Sequence, residues 1–244
     1  MPKSLWILRK FGEKIMYLYT KRGTYHKGNG LKSGDVVYGV DDGTLAVLTL
    51  ADGVSSCAYG DIGARLITSM AIKYVHNQYS RLGFLPNEWA TVMLNSIQKD
   101  VKHIASLEKQ PYEEYSSTLI VTVVDREKGE MNYCNIGDGL ILSISDKKCP
   151  VICMPQGDKD GCPVFTTKGI ENAIETGSIK LNGIDNVLIC SDGTWKIMYR
   201  QNIMRQEIKQ ILIDKNFMGF KECINSFDSA DDCSFAIADV RRAV

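Results

Sequence analysis

The sequence contains no hydrophobic run long enough to span a bilayer, no excess of either charge, and few prolines. Its N-terminal stretch MPKSLWILRKFGEK has only four successive apolar residues before charge returns, whereas a signal-peptide core or a membrane span needs a longer run. A cytoplasmic protein with no membrane partner is expected. Lysine plus arginine and aspartate plus glutamate both number 29, so no basic field draws nucleic acid, and no nucleic-acid partner is expected. With 6 prolines and no low-complexity stretch, the chain offers no linker. Its 244 residues, 44% of them hydrophobic, read as a single domain over 1–244.

Other absences exclude specific chemistries. No G-x-G-x-x-G or G-x-x-x-x-G-K-[ST] follows a strand candidate, which argues against a nucleotide-binding fold. The 8 cysteines show no C-x-x-C pairing. Cys134 and Cys190 sit in apolar segments and read as small core residues of a reducing compartment, and a zinc site at Cys149, Cys153 and Cys162 lacks a nearby histidine.

What is present is a succession of short β-rich segments, at 5–8, 15–19, 36–40, 45–51, 118–124, 131–136, 140–144, 187–190 and 234–240. The stretch STLIVTVVDREKGEMNYCNIGDGLILSIS reads as a three-stranded meander. Ala64, Ile67, Ala71 and Val75 give one amphipathic helix its apolar stripe. Val92, Ile97, Val101 and Ile104 give a second, opening near Pro86, with Trp89 and Met93 as core residues. NIMRQEIKQILIDKN and FKECINSF add helices after the strand at 187–190. Helices grouped between antiparallel strands predict an α+β layered sandwich.

Asp-Gly occurs five times. Asp42-Gly43 lies between two strand candidates and reads as a hairpin, and Asp160-Gly161 lies in a polar loop. The other three, at Asp52, Asp138 and Asp192, each end an apolar strand candidate, and Asp231-Asp232 immediately precedes the last one. Aspartate at a strand end is stiffly placed, and the following glycine brings a carbonyl oxygen close. Hard divalent cations such as Mg²⁺ and Mn²⁺ take such oxygen ligands. Clustered carboxylates repel one another, a problem that a cation removes, and two adjacent ions can activate water against a phosphoryl group. Each aspartate could instead cap a turn or a helix start, as Asp61 or Asp192 would.

LADGVSSCAYGDIGARL, STLIVTVV with NIGDGLILSI, VLICSDGTWKIM and SADDCSFAIADV stand in the order and at roughly the spacing of motifs in the metal-dependent protein phosphatase 2C family. The sequence resembles that family, and GTYHKGNGLKSGD resembles the signature of its bacterial branch. The resemblance implies an α-β-β-α sandwich, two antiparallel sheets flanked by helices, with metals in a cleft at one edge. It further implies a phosphoserine/phosphothreonine protein phosphatase using Mn²⁺ or Mg²⁺, with two ions held. Asp52 would bridge them, the Gly53 carbonyl would bind one, and Asp192 and Asp231 would complete the other. Asp138 would serve a weaker third position, and Asp35 would accept from metal-bound water.

The departures are specific. Gly34 stands where the family places an acidic residue or Gln, and Gly30 where many members grip phosphate with Arg. Lys196 replaces an acidic residue that helps hold the third metal, and Asp232 replaces Asn. One metal is therefore a ligand short, and phosphate capture falls to Lys27, Lys196 or His26, the last also a candidate to protonate the leaving group. Lys196 beside Asp192 could equally be a built-in counter-ion that substitutes for a metal. These departures motivate an alternative: a catalytically weakened module that binds a phosphoprotein or regulates a partner kinase. A hydrolase of small phosphoesters is a third reading. The segment CMPQGDKDGCPVFTTKGIENA is expected to be a flap that influences specificity.

Overall fold

The computed structural model describes residues 6–10, 14–157 and 161–241. Strands β1 (Trp6–Lys10) and β2 (Lys14–Lys21) form a hairpin, followed by the short helix α1 (Thr24–Gly28), then β3 (Asp35–Asp41) and β4 (Leu45–Asp52). Helices α2 (Gly60–Leu82) and α3 (Trp89–Leu107) come next, then β5 (Leu119–Asp125), β6 (Glu130–Ile136), β7 (Leu140–Ile144), β8 (Val151–Cys153), β9 (Glu175–Lys180) and β10 (Asn186–Cys190). Helix α4 (Asp192–Met198), a two-residue hairpin of β11 (Tyr199–Arg200) and β12 (Ile203–Met204), helices α5 (Gln206–Ile213) and α6 (Phe217–Ser226), and β13 (Cys233–Asp239) complete the order.

The long strands make two antiparallel sheets, ordered β1-β2-β13-β10-β7-β8 and β3-β4-β5-β6-β9. Three apolar layers hold them together. Leu45, Val47 and Ala51 of β4 face Ala64, Ile67, Ala71 and Val75 of α2, together with Met93, Ile97 and Val101 of α3. The intervening Ala46, Leu48 and Leu50 meet Ile189, Ala236 and Ala238 of the opposite sheet. Beyond that sheet, Leu188, Phe235 and Ile237 pack on Ile208, Leu212, Phe220 and Ile224 of α5 and α6. Strands buried on both faces need apolar side chains at every position, so these segments read as continuous runs rather than alternations. The expected α-β-β-α sandwich is the observed fold.

Four expectations are corrected. The meander breaks after its second strand: β6 pairs with β5 and β9, whereas β7 crosses to the other sheet and pairs with β10 and β8. Gly137, at φ 110°, adopts the left-handed backbone that this departure uses. Helix α3 starts at Trp89 rather than near Pro86, whose carbonyl accepts from the Trp89 N–H in a preceding turn. Its buried face runs through Ala90, Met93, Leu94, Ile97 and Val101, leaving Val92 52% exposed. The segment beginning at Asn202 first closes the β11–β12 hairpin, and the helix starts at Gln206. The Asp42-Gly43 hairpin is observed, with Asp42 Oδ1 accepting from the Thr44 and Leu45 N–H groups. Asp160 lies outside the described residues.

Both sheets are pinned together at one end by a buried arginine. The Arg126 guanidinium donates to both Asp41 carboxylate oxygens, each at 2.7 Å, and to the Asp239 carbonyl at 2.6 Å. It thereby ties the β3–β4 loop and the end of β5 to the end of β13 in the other sheet. Removing one partner of a buried, hydrogen-bonded pair strands the other charge, so Arg126→Met is expected to lower unfolding free energy by about 3–5 kcal/mol. Urea denaturation checks this, and an unchanged midpoint would contradict the clamp.

Candidate functional site

The opposite end of the sandwich gathers the carboxylates. Asp35 begins β3 and Asp52 ends β4, and the two are direct cross-strand partners. Like charges in that relation repel. The register is held by the chain itself: the Gly53 N–H donates to the Gly34 carbonyl (3.1 Å), and the Asp52 N–H donates to Thr118 Oγ1 (2.9 Å). The strand-end glycines serve close approach of backbones. A β-carbon on Gly53 would lie 2.4 Å from the Gly60 carbonyl at the start of α2, and one on Gly193 would lie 2.1 Å from the Asp232 carbonyl.

From the second sheet, β10 delivers Ser191 and Asp192 to the same end. The Ser191 hydroxyl donates to Asp35 Oδ2 at 2.8 Å and itself accepts from the Ser234 N–H. Asp35 Oδ1 is buried with no hydrogen-bond partner. Asp192 opens α4: its Oδ1 accepts from the Gly193 N–H, and its Oδ2 lies 2.6 Å from Lys196 Nζ. The same ammonium is 3.6 Å from Asp231 Oδ2. Asp138 sits in the crossover between β6 and β7, where its carbonyl accepts from Trp195 Nε1 at 2.7 Å.

Asp231 and Asp232 divide into an exposed and a buried residue. The Asp231 side chain is 57% exposed. Asp232 is buried and accepts from the Gly23 and Gly34 N–H groups and the Ser33 hydroxyl, at 2.6, 2.7 and 2.8 Å. His26 Nδ1 is 3.1 Å from Asp232 Oδ2. Helix α1 thus hooks onto the loop before β13, helped by the Thr24 N–H bond to the Ser229 carbonyl. Lys27 and Gly30 are exposed beside it.

Electrostatically the cluster is frustrated. Burial, then the Asp232 charge, pushes the Asp35 carboxyl up to about 7 despite bonds from Ser234 and Ser191. Burial, then Asp35 and Asp192, holds Asp52 well above the usual carboxylate range. Burial and Asp192 also raise Asp138. Lys196 is pulled down by burial but held above its ordinary value by Asp192, Asp231 and Asp138. Among the described residues, no three His, Cys, Asp or Glu side chains are gathered closely enough to hold a metal ion. The donors nevertheless suit a hard divalent cation: carboxylate oxygens and backbone carbonyls, one buried oxygen unpartnered, and mutual repulsion that such a charge relieves. Gly34 adjoins these donors closely: a β-carbon there would point toward the Gly53 carbonyl (3.1 Å) and Asp52 Oδ1 (3.4 Å).

Beside Asp138 opens a cavity of about 530 Å³, lined by Trp195, Leu140, Val151, Met154 and Tyr199. The expected flap forms one wall. It is anchored by Phe165, which is buried in the α2–α3 layer and whose carbonyl accepts from Gln98 Nε2.

Residues 22–215, most of the chain, match the family described as Protein phosphatase 2C. The chain belongs to the protein phosphatase 2C family. Solved phosphatase structures share its fold. Serine/threonine phosphatase Stp1 from Staphylococcus aureus is 16% identical, with a TM-score of 0.71 covering 99% of this chain and 100% of that one. The Mycobacterium tuberculosis serine/threonine phosphatase PstP/Ppp is 15% identical, with a TM-score of 0.72 covering 93% and 98%. RsbX, solved in complex with magnesium, is 12% identical, with a TM-score of 0.63 covering 97% and 99%. No curated protein is matched significantly by the sequence.

Sequence reasoning about this phosphatase 2C chain missed Ser191, Ser234 and Thr118, which position the carboxylates. Their signal was weak but present, since a hydroxyl inside or beside a doubly buried strand needs a partner. It also left unassigned the burial of Asp232, because nothing in SADDC says which aspartate turns inward.

The Asp35 shift predicts the pH dependence of the metal-free protein. An unfolded aspartate ionises near 3.8, so between there and about 7 the folded protein holds a proton that the unfolded chain has lost. Stability from this group is therefore lost as the pH rises through that window. Calorimetry in chelator should show the melting temperature falling as pH rises from acid to neutral, with Asp35→Asn flattening the decline. A flat wild-type profile would contradict the assignment.

Proposed function

We propose that this phosphatase 2C chain is a metal-dependent phosphoserine/phosphothreonine protein phosphatase, its residues 1–244 acting as one domain in the bacterial cytoplasm as part of a signalling pair with a Ser/Thr kinase. The observation that carries this reading is the convergence of Asp35, Asp52, Asp138 and Asp192 at one end of the sandwich, crowded enough to raise three of their carboxyls. Asp52, the Gly53 carbonyl, Asp192 and Asp231 would hold two Mn²⁺ or Mg²⁺ ions, with Asp138 at a weaker third position. Bound divalent ions supply charge to polarise a phosphate and acidify water.

The remaining steps belong to the chain's own groups. The unpartnered Asp35 Oδ1 is the acceptor for a proton of the attacking water, and Ser191 fixes that carboxylate by its bond to Oδ2. His26, whose Nδ1 lies 3.1 Å from Asp232 Oδ2, is the group assigned to protonate the leaving serine or threonine oxygen. Lys196, and more distantly the exposed Lys27, supply positive charge for the phosphate. The apolar cavity next to Asp138 favours a phosphopeptide over a small metabolite, since Trp195 and Met154 offer contact to a side chain flanking the phosphoresidue.

A second reading, a phosphoprotein-binding or kinase-regulating module with little turnover, is favoured by one observation: Lys196 already neutralises Asp192. Hydrolysis of a phosphothreonine peptide separates the two. Turnover should require Mn²⁺ and fall about a hundredfold or more in Asp192→Asn. Folded protein that fails to turn over at saturating metal would favour the binding module. Gly34→Asp, which places a carboxylate over the Gly53 carbonyl and Asp52, is expected to tighten Mn²⁺ binding by roughly tenfold. Titration calorimetry measures it, and weaker binding would mean that position 34 does not contribute to an ion's shell.

A further inference from the structure

Lys196 is placed with more constraint than a surface ion pair usually is. It lies one helical turn after Asp192 on α4, the spacing at which side chains meet. The roll of α4 is set on both sides. Trp195 Nε1 is bonded to the Asp138 carbonyl, and Gly193 packs its backbone against Asp232 too closely for any side chain. The Lys196 stem is therefore aimed at the two carboxylates, and the ammonium lies 2.6 Å from Asp192 Oδ2 and 3.6 Å from Asp231 Oδ2.

Those are the oxygens that a divalent ion would need. Asp192 Oδ1 is already taken by the Gly193 N–H at 2.5 Å, so Oδ2 is the oxygen left to face outward. Asp192 and Asp231 come from different elements, the start of α4 and the loop before β13, and the ammonium spans the gap between them. Two cations cannot occupy that gap together. Lys196 is 51% exposed, so its arm can swing into water with little loss of solvation.

Building on the metal-dependent reading above, we propose that Lys196 is a tethered cation that competes with the divalent ion for the Asp192–Asp231 pair. Loading at this position is an exchange in which the ammonium leaves as the ion enters. An ion held on the Gly53 carbonyl side of Asp52 would not be subject to it. The chain accordingly fills its second position only above a threshold of free metal, and in metal-poor conditions Lys196 keeps the Asp192 end of the cleft neutralised and ordered.

The test is titration calorimetry of Mn²⁺ into the full chain, alongside melting in chelator, for the wild type, Lys196→Met and Lys196→Arg. The exchange predicts one weak and one tighter site in the wild type. Lys196→Met should tighten the weak site by about tenfold or more while leaving the other in place. Without metal, Lys196→Met should melt below the wild type, and Mn²⁺ should close the difference. Lys196→Arg, which keeps the charge, should follow the wild-type isotherm, and Lys196→Gln provides a second neutral variant should the methionine variant misfold. Superimposable wild-type and Lys196→Met isotherms, or weaker binding in the variant, would overturn the exchange alone. Failure of every protein to bind Mn²⁺ would overturn both the exchange and the metal-dependent reading beneath it.

Discussion

Repulsion between aspartates that the fold forces together is the constraint on which the functional end of this molecule depends. The β3–β4 register sets Asp35 opposite Asp52, and the antiparallel pairing of β10 with β13 brings Asp192, Asp231 and Asp232 to the same edge. None of these residues gains stability from the others. Hydroxyls and backbone N–H groups from Ser191, Ser33, Gly23 and Gly34 are arranged to make two of them tolerable. An arrangement that is costly in the bare chain and relieved by positive charge is what a cation-dependent active site requires, because the folding energy set against the site returns as ligand affinity.

The three apolar layers make that cost bearable. Each central strand buries both faces, so the sheets are rigid where the aspartates emerge, and the strand-end glycines let neighbouring backbones close around them. The resemblance to the family's motifs implies altered residues at Gly34, Gly30, Lys196 and Asp232. Of these, Asp232 has the clearest compensation, since three donors and His26 surround it.

Much of this was legible in the sequence, for physical reasons. Apolar runs that stop at Asp-Gly marked Asp52 and Asp192, and the spacing of Ala64, Ile67, Ala71 and Val75 marked the buried face of α2. Strand β9, ETGSIK, was not legible, because an edge strand with one wet face carries polar residues and a glycine. Strand β8 has only three residues, too few for a period to show. The sheet to which β7 belongs was hidden for a different reason: a strand buried on both faces carries no mark of which neighbour it joins. Nor does any pattern along the chain reveal that Lys196 reaches both Asp192 and Asp231, a relation that exists only once α4 and β13 have docked.

The Arg126 clamp and the acidic end lie at opposite limits of the same strands: β3 runs from Asp35 to Asp41, and β13 from Cys233 to Asp239. The sandwich is built like a spring peg, with its pivot riveted by a guanidinium and its jaws lined with like charge. Opening at the jaws need not disturb the pivot. A change of charge at the jaws would therefore act on one end of the molecule while the guanidinium keeps the register of the other.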